Sequence, residues 1–276
     1  MAMTPPPHLT DRQALIAHRN RANKQAGLSA AFLQCEARDE IEERLEEVNR
    51  PFTKPAIVTG WPEIWADGWV NAKIIPDDDT LALEPASHDL IIHAMALHWA
   101  NDPVGQLIQC RRALRPDGLF LSVLFGGQTL HELRACLAEA EIAVTGGLSL
   151  RIAPMAEIRD LGALLQRAGF ALPVADNRSV DVSYRSSQHL MRDLRAMGET
   201  NALTNRRRHL TRRSVFTELD RLYRHRFGQT DGTIRATFDL IFLAGWAPDA
   251  GQQQPLRPGS ATARLADALN TDETAL

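Results

Sequence analysis

Asp89-Leu-Ile-Ile-His-Ala-Met-Ala-Leu-His-Trp99-Ala-Asn-Asp-Pro103 reads as a buried strand that gives way to a loop and then, at Pro103, to a helix. The run continues through Arg112-Ala-Leu-Arg-Pro-Asp-Gly118 into a second apolar stretch, Leu119-Phe-Leu-Ser-Val-Leu-Phe125. Strand, helix, Pro-Asp-Gly turn and strand make a βαβ unit, and such units build parallel sheets. Upstream, Pro55-Ala-Ile-Val-Thr-Gly60 and Ala72-Lys-Ile-Ile75 are two more strand candidates. Only residues 61–71 lie between Gly60 and Ala72. A helix, a second strand and its return helix cannot fit there, because one crossover alone needs roughly 10–12 residues. The expected fold is therefore α/β with a reduced Rossmann-like sheet.

Working outward, residues 10–50 read as helical. Asp11 is placed to cap the first helix, with Leu15, Ile16 and Arg19 at helical spacing, and Ala37 to Val48 makes a charged amphipathic helix with Ile41, Leu45 and Val48 inward. Its carboxylates, from Asp39 to Glu47, read as a solvated face. Helices are expected over Thr129–Ala143, Pro154–Ala168 (closed by Gly169) and Gln188–Met197, with strands over Val180–Tyr184 and Thr233–Leu243. The organisation expected is a disordered lead-in over 1–9, a single domain over 10–248 and a tail over 249–276. Within the domain, 10–50 is a helical extension, 55–125 a reduced nucleotide-type half and 126–248 a C-terminal half.

The order of elements resembles the class I S-adenosylmethionine (SAM) methyltransferases, with Leu114-Arg-Pro-Asp-Gly118 before the second strand. Thr10-Asp-Arg12, Phe32-Leu33 and Arg44-Leu-Glu-Glu-Val-Asn-Arg-Pro-Phe52 are similar to one subfamily's N-terminal helices. The similarity extends to Arg159-Asp-Leu-Gly-Ala-Leu-Leu-Gln-Arg-Ala-Gly-Phe170, Met191-Arg-Asp-Leu-Arg-Ala-Met-Gly198, Gly245-Trp-Ala-Pro248 and Gln254-Pro-Leu-Arg-Pro-Gly-Ser260. That subfamily is the methyltransferase-like assembly factors of respiratory complex I. It is related more distantly to the malonyl-carrier methyltransferases of the biotin pathway. The resemblance implies the class I methyltransferase fold with a C-terminal antiparallel hairpin and a protein partner, a complex I subunit or assembly intermediate.

The same resemblance implies SAM, and the residues argue against ordinary binding. A cofactor loop needs several glycines so that backbone can approach the ligand, yet only Gly60 remains and Trp61 follows it. No counterpart exists for the acidic residue that would grip the ribose. By resemblance Asp77, in Asp77-Asp-Asp79, takes the position that accepts a hydrogen bond from the adenine amino group; a run of three aspartates is also an ordinary solvated turn. His93-Ala94 stands where the relatives usually carry Ser-Asn. His98-Trp99 matches the subfamily's Leu-His-Trp, so His98 is the candidate general base and Trp99 pocket wall; local packing of His98 is the competing reading. The cofactor candidates are Gly60, Asp77, His93 and Trp99. His88, His93 and His98 do not converge on a metal by spacing, and no metal is expected.

Two surfaces are candidates for a partner. Trp61, Trp65 and Trp69 recur at helical spacing, and either pack on the sheet or offer an aromatic contact face. Arg206, Arg207, Arg208, Arg212 and Arg213 form a basic shoulder before the apolar helix face Val215, Phe216, Leu219, Leu222 and Tyr223. A solvated face and a site for an acidic partner are both open there.

At 276 residues, 44% of them hydrophobic, the chain buries one sizeable core, and a net charge of −3 disfavours nucleic acid. No apolar run reaches the roughly 18 residues of a membrane span, which leaves only peripheral membrane association. Cys35, Cys110 and Cys136 lack metal spacing and fit free thiols in a reducing, cytoplasmic setting. Two functions compete: a non-catalytic or SAM-impaired assembly scaffold, and an active SAM-dependent methyltransferase, or protein-arginine-modifying relative, with a rearranged loop. Oligomeric state is left open.

Overall fold

The computed structural model describes residues 8–25, 30–69 and 71–253. The expectations for residues 1–7 and 254–276, including the Gln254–Ser260 motif, lie outside them.

The apolar run at Asp89 becomes the inner strand β3 (His88–Ala94). It is flanked by β1 (Pro55–Thr59) and β4 (Leu114–Gly126), both parallel to it. Strand β2 (Lys73–Ile75) pairs parallel with β1, and the six-stranded order is β2-β1-β3-β4-β6-β5. β6 (Ile234–Trp246) runs antiparallel to both β4 and β5 (Ala171–Tyr184), forming the expected hairpin. Val180 to Tyr184 pair with Phe238 to Ile234 as read from their alternation. β5 nevertheless starts at Ala171, well before Val180, because the whole of β6 offers it a ladder that Pro173 and the polar 176–179 segment conceal in the sequence.

Helices α1 (Arg12–Gln25), α2 (Phe32–Val48) and α3 (Pro62–Trp65) belong to the N-terminal third. They are followed by α4 (Pro103–Ala113), α5 (His131–Thr145), α6 (Ile158–Ala168), α7 (Ser187–Ala196) and α8 (Arg213–Phe227). Strand alternation sends Ile57, Leu90, Ile92, Leu119 and Leu121 to the face covered by α5, α7 and α8. Ala56, Val58, Ile91, Phe120 and Leu124 meet α4 and α6 on the other.

Local chemistry sets the boundaries. Asp11 accepts the N–H of Ala14 at 3.1 Å and starts α1, and Asp102 accepts that of Gly105 at 2.8 Å, with Pro103 in the first turn of α4. Gly169 ends α6 at φ +84°, a conformation cheap only for glycine. Residues 154–157 stay out of α6, contrary to the helix expected from Pro154. The Pro-Asp-Gly stretch is a bulge within β4 rather than a turn before it, since the ladder with β3 slips between the His88–Leu114 and Leu90–Leu119 pairs.

The tryptophan stripe does not form a helix face. α3 is one turn, and Gly68 at φ +82° follows it. Trp61 and Trp65 are buried, and Trp69 packs half-buried against the same core. Trp65 donates its indole N–H to Gln34 Oε1 at 2.8 Å. The tryptophans are therefore core, not a partner surface. The acidic face of α2 is also less solvated than expected. Arg44 pairs with Glu40 and with Asp176 of β5, and Arg178 pairs with Glu36 and Glu40.

Candidate functional site

β2 lies on one side of β1 and β3 on the other, so the chain reverses direction of winding at the carboxyl ends of these strands. In an open α/β sheet that switch point is where ligands sit. A cleft of about 550 Å³ opens there, lined by Thr59, Gly60, Trp61, Pro76 and Asp77 from the sheet and by Arg12, Arg19 and Asn23 from α1.

Side chains of α1 occupy its polar floor. Arg12 and Arg19 stand seven residues apart, two turns along one helix face. Arg19 Nη1 donates to both carboxylate oxygens of Asp77, at 2.8 and 3.0 Å. Arg12 reaches the same oxygens at 3.2 and 3.3 Å and the Asp77 carbonyl at 2.7 Å. Arg19 and Asp77 are 7% and 4% exposed, so this ion cluster is shielded from water. Burial alone would raise the Asp77 carboxyl, but Arg19 and Arg12 outweigh it and hold the group down at about 2. Asp77 is thus neither a solvated turn nor a free acceptor.

Gly60 faces the same guanidinium. A Cβ there would lie 2.1 Å from Arg19 Nη1, so the bare backbone admits a protein side chain. The acidic loop is fastened from α4 as well: Gln106 Nε2 donates to the Asp78 carbonyl at 2.9 Å, and Gln109 Nε2 to that of Asp79 at 3.1 Å. Since the Gln106 amide is committed as donor to Asp78, its Oε1 accepts, and His93 must carry its proton on Nε2, 2.9 Å away. His93 is fully buried, and burial lowers it to about 4, so it is a neutral structural imidazole. It does not shape a pocket rim, as its position in the sequence suggested.

His98 and Trp99 fall elsewhere. They form a short 3-10 turn after β3 and line a second pocket, about 350 Å³, between β4, α5 and α7. Phe125, Leu133, Met191 and Phe238 make it apolar, and Glu199 supplies a carboxylate. Trp99 Nε1 donates to Glu199 Oε2 at 2.9 Å; His98 Nε2 lies 3.5 Å from the same oxygen, at the edge of hydrogen-bond range. His98 stacks edge-on against Phe125 with ring centroids 5.1 Å apart. The candidate site residues therefore divide: Gly60 and Asp77 share the cleft with α1, while His98 and Trp99 share the apolar pocket. The Gly198-Glu199 step lies between the two. Gly198, at φ +77°, packs against Trp61 and Arg19, and Glu199 faces the apolar pocket.

The basic shoulder is a loop ahead of α8. Arg206 and Arg208 approach Asp11 at 2.9 and 3.7 Å, and Arg207 donates to buried Glu141 at 3.0 Å.

The methyltransferase-domain family model matches residues 67–122, the span from β2 through the βαβ unit. Over that segment the chain is similar to the methyltransferase-domain family. It is 37% identical over 194 residues to the arginine-hydroxylase NDUFAF5, mitochondrial, of Danio rerio, covering 70% of this chain and 60% of that one. The Dictyostelium discoideum NDUFAF5 is 40% identical over 196 residues, 71% of this chain and 45% of its own. A malonyl-[acyl-carrier protein] O-methyltransferase of Laribacter hongkongensis is 33% identical over 188 residues, 68% of this chain and 61% of its own. The chain thus spans about half to three fifths of the length of these relatives. Among the described residues no helix is long and apolar enough to cross a membrane.

Sequence reasoning missed Arg12 as a site residue, gave Arg19 no more than a place on α1, and missed Glu199. The signal for the first two was available: Arg12, Leu15, Arg19 and Ala22 share one face of α1, and Leu15, Arg19 and Ala22 are its buried residues. Glu199 offered none, because its partner Trp99 is 100 residues away.

Proposed function

We propose that this protein is a non-catalytic member of the class I methyltransferase superfamily, one that has kept the fold as a scaffold for a protein partner in respiratory complex I assembly and no longer binds SAM usefully. The Arg12–Asp77–Arg19 cluster against Gly60 carries the reading. A nucleoside cofactor would need the Asp77 carboxylate as a free acceptor and the bare Gly60 backbone as its seat. Both are taken by α1, and the ribose-gripping strand has no counterpart. Freeing Asp77 would break a buried ion pair, a step that costs about 3–5 kcal/mol, before any ligand contact is made. Partner binding is supported by the NDUFAF5 relatives and by the apolar pocket, whose walls leave about 350 Å³ free.

Calorimetry and thermal unfolding with SAM and S-adenosylhomocysteine test this. The expected outcome is no heat and no shift up to millimolar ligand. A ligand at 100 times its dissociation constant stabilises a fold by roughly 2.7 kcal/mol, and a shift of that size would overturn this reading in favour of a SAM-binding site with a rearranged loop, the starting point of the active-methyltransferase alternative.

A further inference from the structure

Four large aliphatic side chains stand exposed beside the basic loop: Ile142 at 53%, Leu148 at 66%, Leu150 at 54% and Leu210 at 96%. They come from two segments, 142–150 and 206–213, that one buried carboxylate clasps together. Glu141, 1% exposed, accepts from Ser149 Oγ at 2.7 Å, Arg151 Nη2 at 2.6 Å and Arg207 Nη1 at 3.0 Å. Arg151 Nη1 also donates to Thr211 Oγ1 at 2.8 Å, and Asn201 Nδ2 to the Leu150 carbonyl at 2.8 Å. Ser149 and Arg151 turn inward to the clasp, so Leu148 and Leu150, alternating with them, are held outward. Beside Leu210 in the chain, Arg212 and Arg213 have no carboxylate within ion-pair distance among the described residues, and Arg208 stays largely exposed despite Asp11 at 3.7 Å.

We propose that this face, Leu148, Leu150 and Leu210 with Arg208, Arg212 and Arg213, docks on an anionic lipid bilayer. Aliphatic tips set among arginines match an interface whose outer layer is phosphate and whose inner layer is hydrocarbon. A protein partner fits less well: leucine is under-represented among the anchors of protein interfaces, which favour tryptophan and tyrosine, and no aromatic residue is among the exposed apolar ones here. The charge is local, since the chain as a whole carries −3, so the patch would also orient the molecule on a negative surface. Arg151, Arg206 and Arg207 line the apolar pocket too. Docking therefore sets that pocket against the membrane surface.

Co-sedimentation of the full chain with phosphatidylglycerol vesicles, beside neutral phosphatidylcholine vesicles, tests the assignment. Binding is expected to the anionic vesicles alone and to weaken with rising salt. Arg212→Gln with Arg213→Gln should lower the partition coefficient roughly 30-fold, and Leu210→Asp about tenfold or more. Leu172→Asp, an exposed leucine on β5, should change nothing, and circular dichroism verifies that each variant is folded. Absence of binding to anionic vesicles overturns the proposal, as does undiminished binding by Leu210→Asp and the double variant. Capture of poly-glutamate without vesicle binding overturns it in favour of an acidic protein partner.

Discussion

The cleft beyond β1 and β2 and the pocket beyond β3 and β4 open beside the same sheet, separated by the Gly198-Glu199 step, and they have had opposite fates. In the first, the acceptors of the acidic loop are engaged from within: Asp77 by Arg12 and Arg19, its neighbours' carbonyls by Gln106 and Gln109, while Arg19 Nε and Nη2 and Trp61 Nε1 have no partner among the described residues. In the second, the apolar walls remain apart and Glu199 holds the Trp99 indole with space in front of it. The first keeps its volume, since a substantial cleft persists around the arginines, while its carboxylate is engaged by them. A cavity can therefore persist while the protein's own side chains engage the acidic group that lines it. Cavity size alone does not reveal this; the partners of the polar atoms do.

Four measurements would break or sharpen the contrast. If the tryptophans beside the cleft are structural filling, Trp65→Ala costs about 3–5 kcal/mol in urea unfolding; wild-type stability would mean that the closed cleft is not built on them. Asp77→Ala leaves Arg19 buried without its counter-charge and costs roughly 3 kcal/mol, whereas a loss below 1 kcal/mol would show the cluster to be a loose cap that a ligand could lift. The same group gives a pH signature. Asp77 is held at about 2 in the fold against 3.8 unperturbed, so its contribution, roughly 2 kcal/mol, is complete above pH 3.8 and is lost as pH falls through about 2. Asp77→Asn should remove that part of the acid limb when wild type and variant are unfolded side by side. On the other side of the wall, Glu199→Leu strands the Trp99 N–H and costs about 1–2 kcal/mol, with SAM binding absent in both forms. A gain of SAM affinity in that variant would join the two pockets into one site.

Much of this was legible in the sequence. Largely apolar runs at 90–94 and 119–125, broken only by His93 and Ser122, point to the parallel centre, and the short 61–71 link announced the missing strand, because both are questions of length and hydropathy. The identity of the tryptophans as core, rather than surface, was undecidable from spacing: Gly68 breaks the helix that would have aligned them, and a single turn buries Trp61 and Trp65 through different contacts. His93 looked like a pocket residue because it ends a strand, yet Gln106, one turn into α4, draws it into the interior. The arginine plug was hidden for a physical reason. A charged residue on the buried face of a helix reads as an exception to burial until its partner is known, and Asp77 lies 58 positions from Arg19.

Gly60 carries one more consequence. Its missing side chain makes room for the guanidinium of the protein's own first helix, so α1 acts as a ligand that never leaves. Such a tethered occupant competes at an effective concentration in the millimolar range or above. Any free nucleoside reaching the cleft meets a rival whose supply is fixed by covalent connection and cannot be diluted, so it would need a correspondingly higher concentration to displace it.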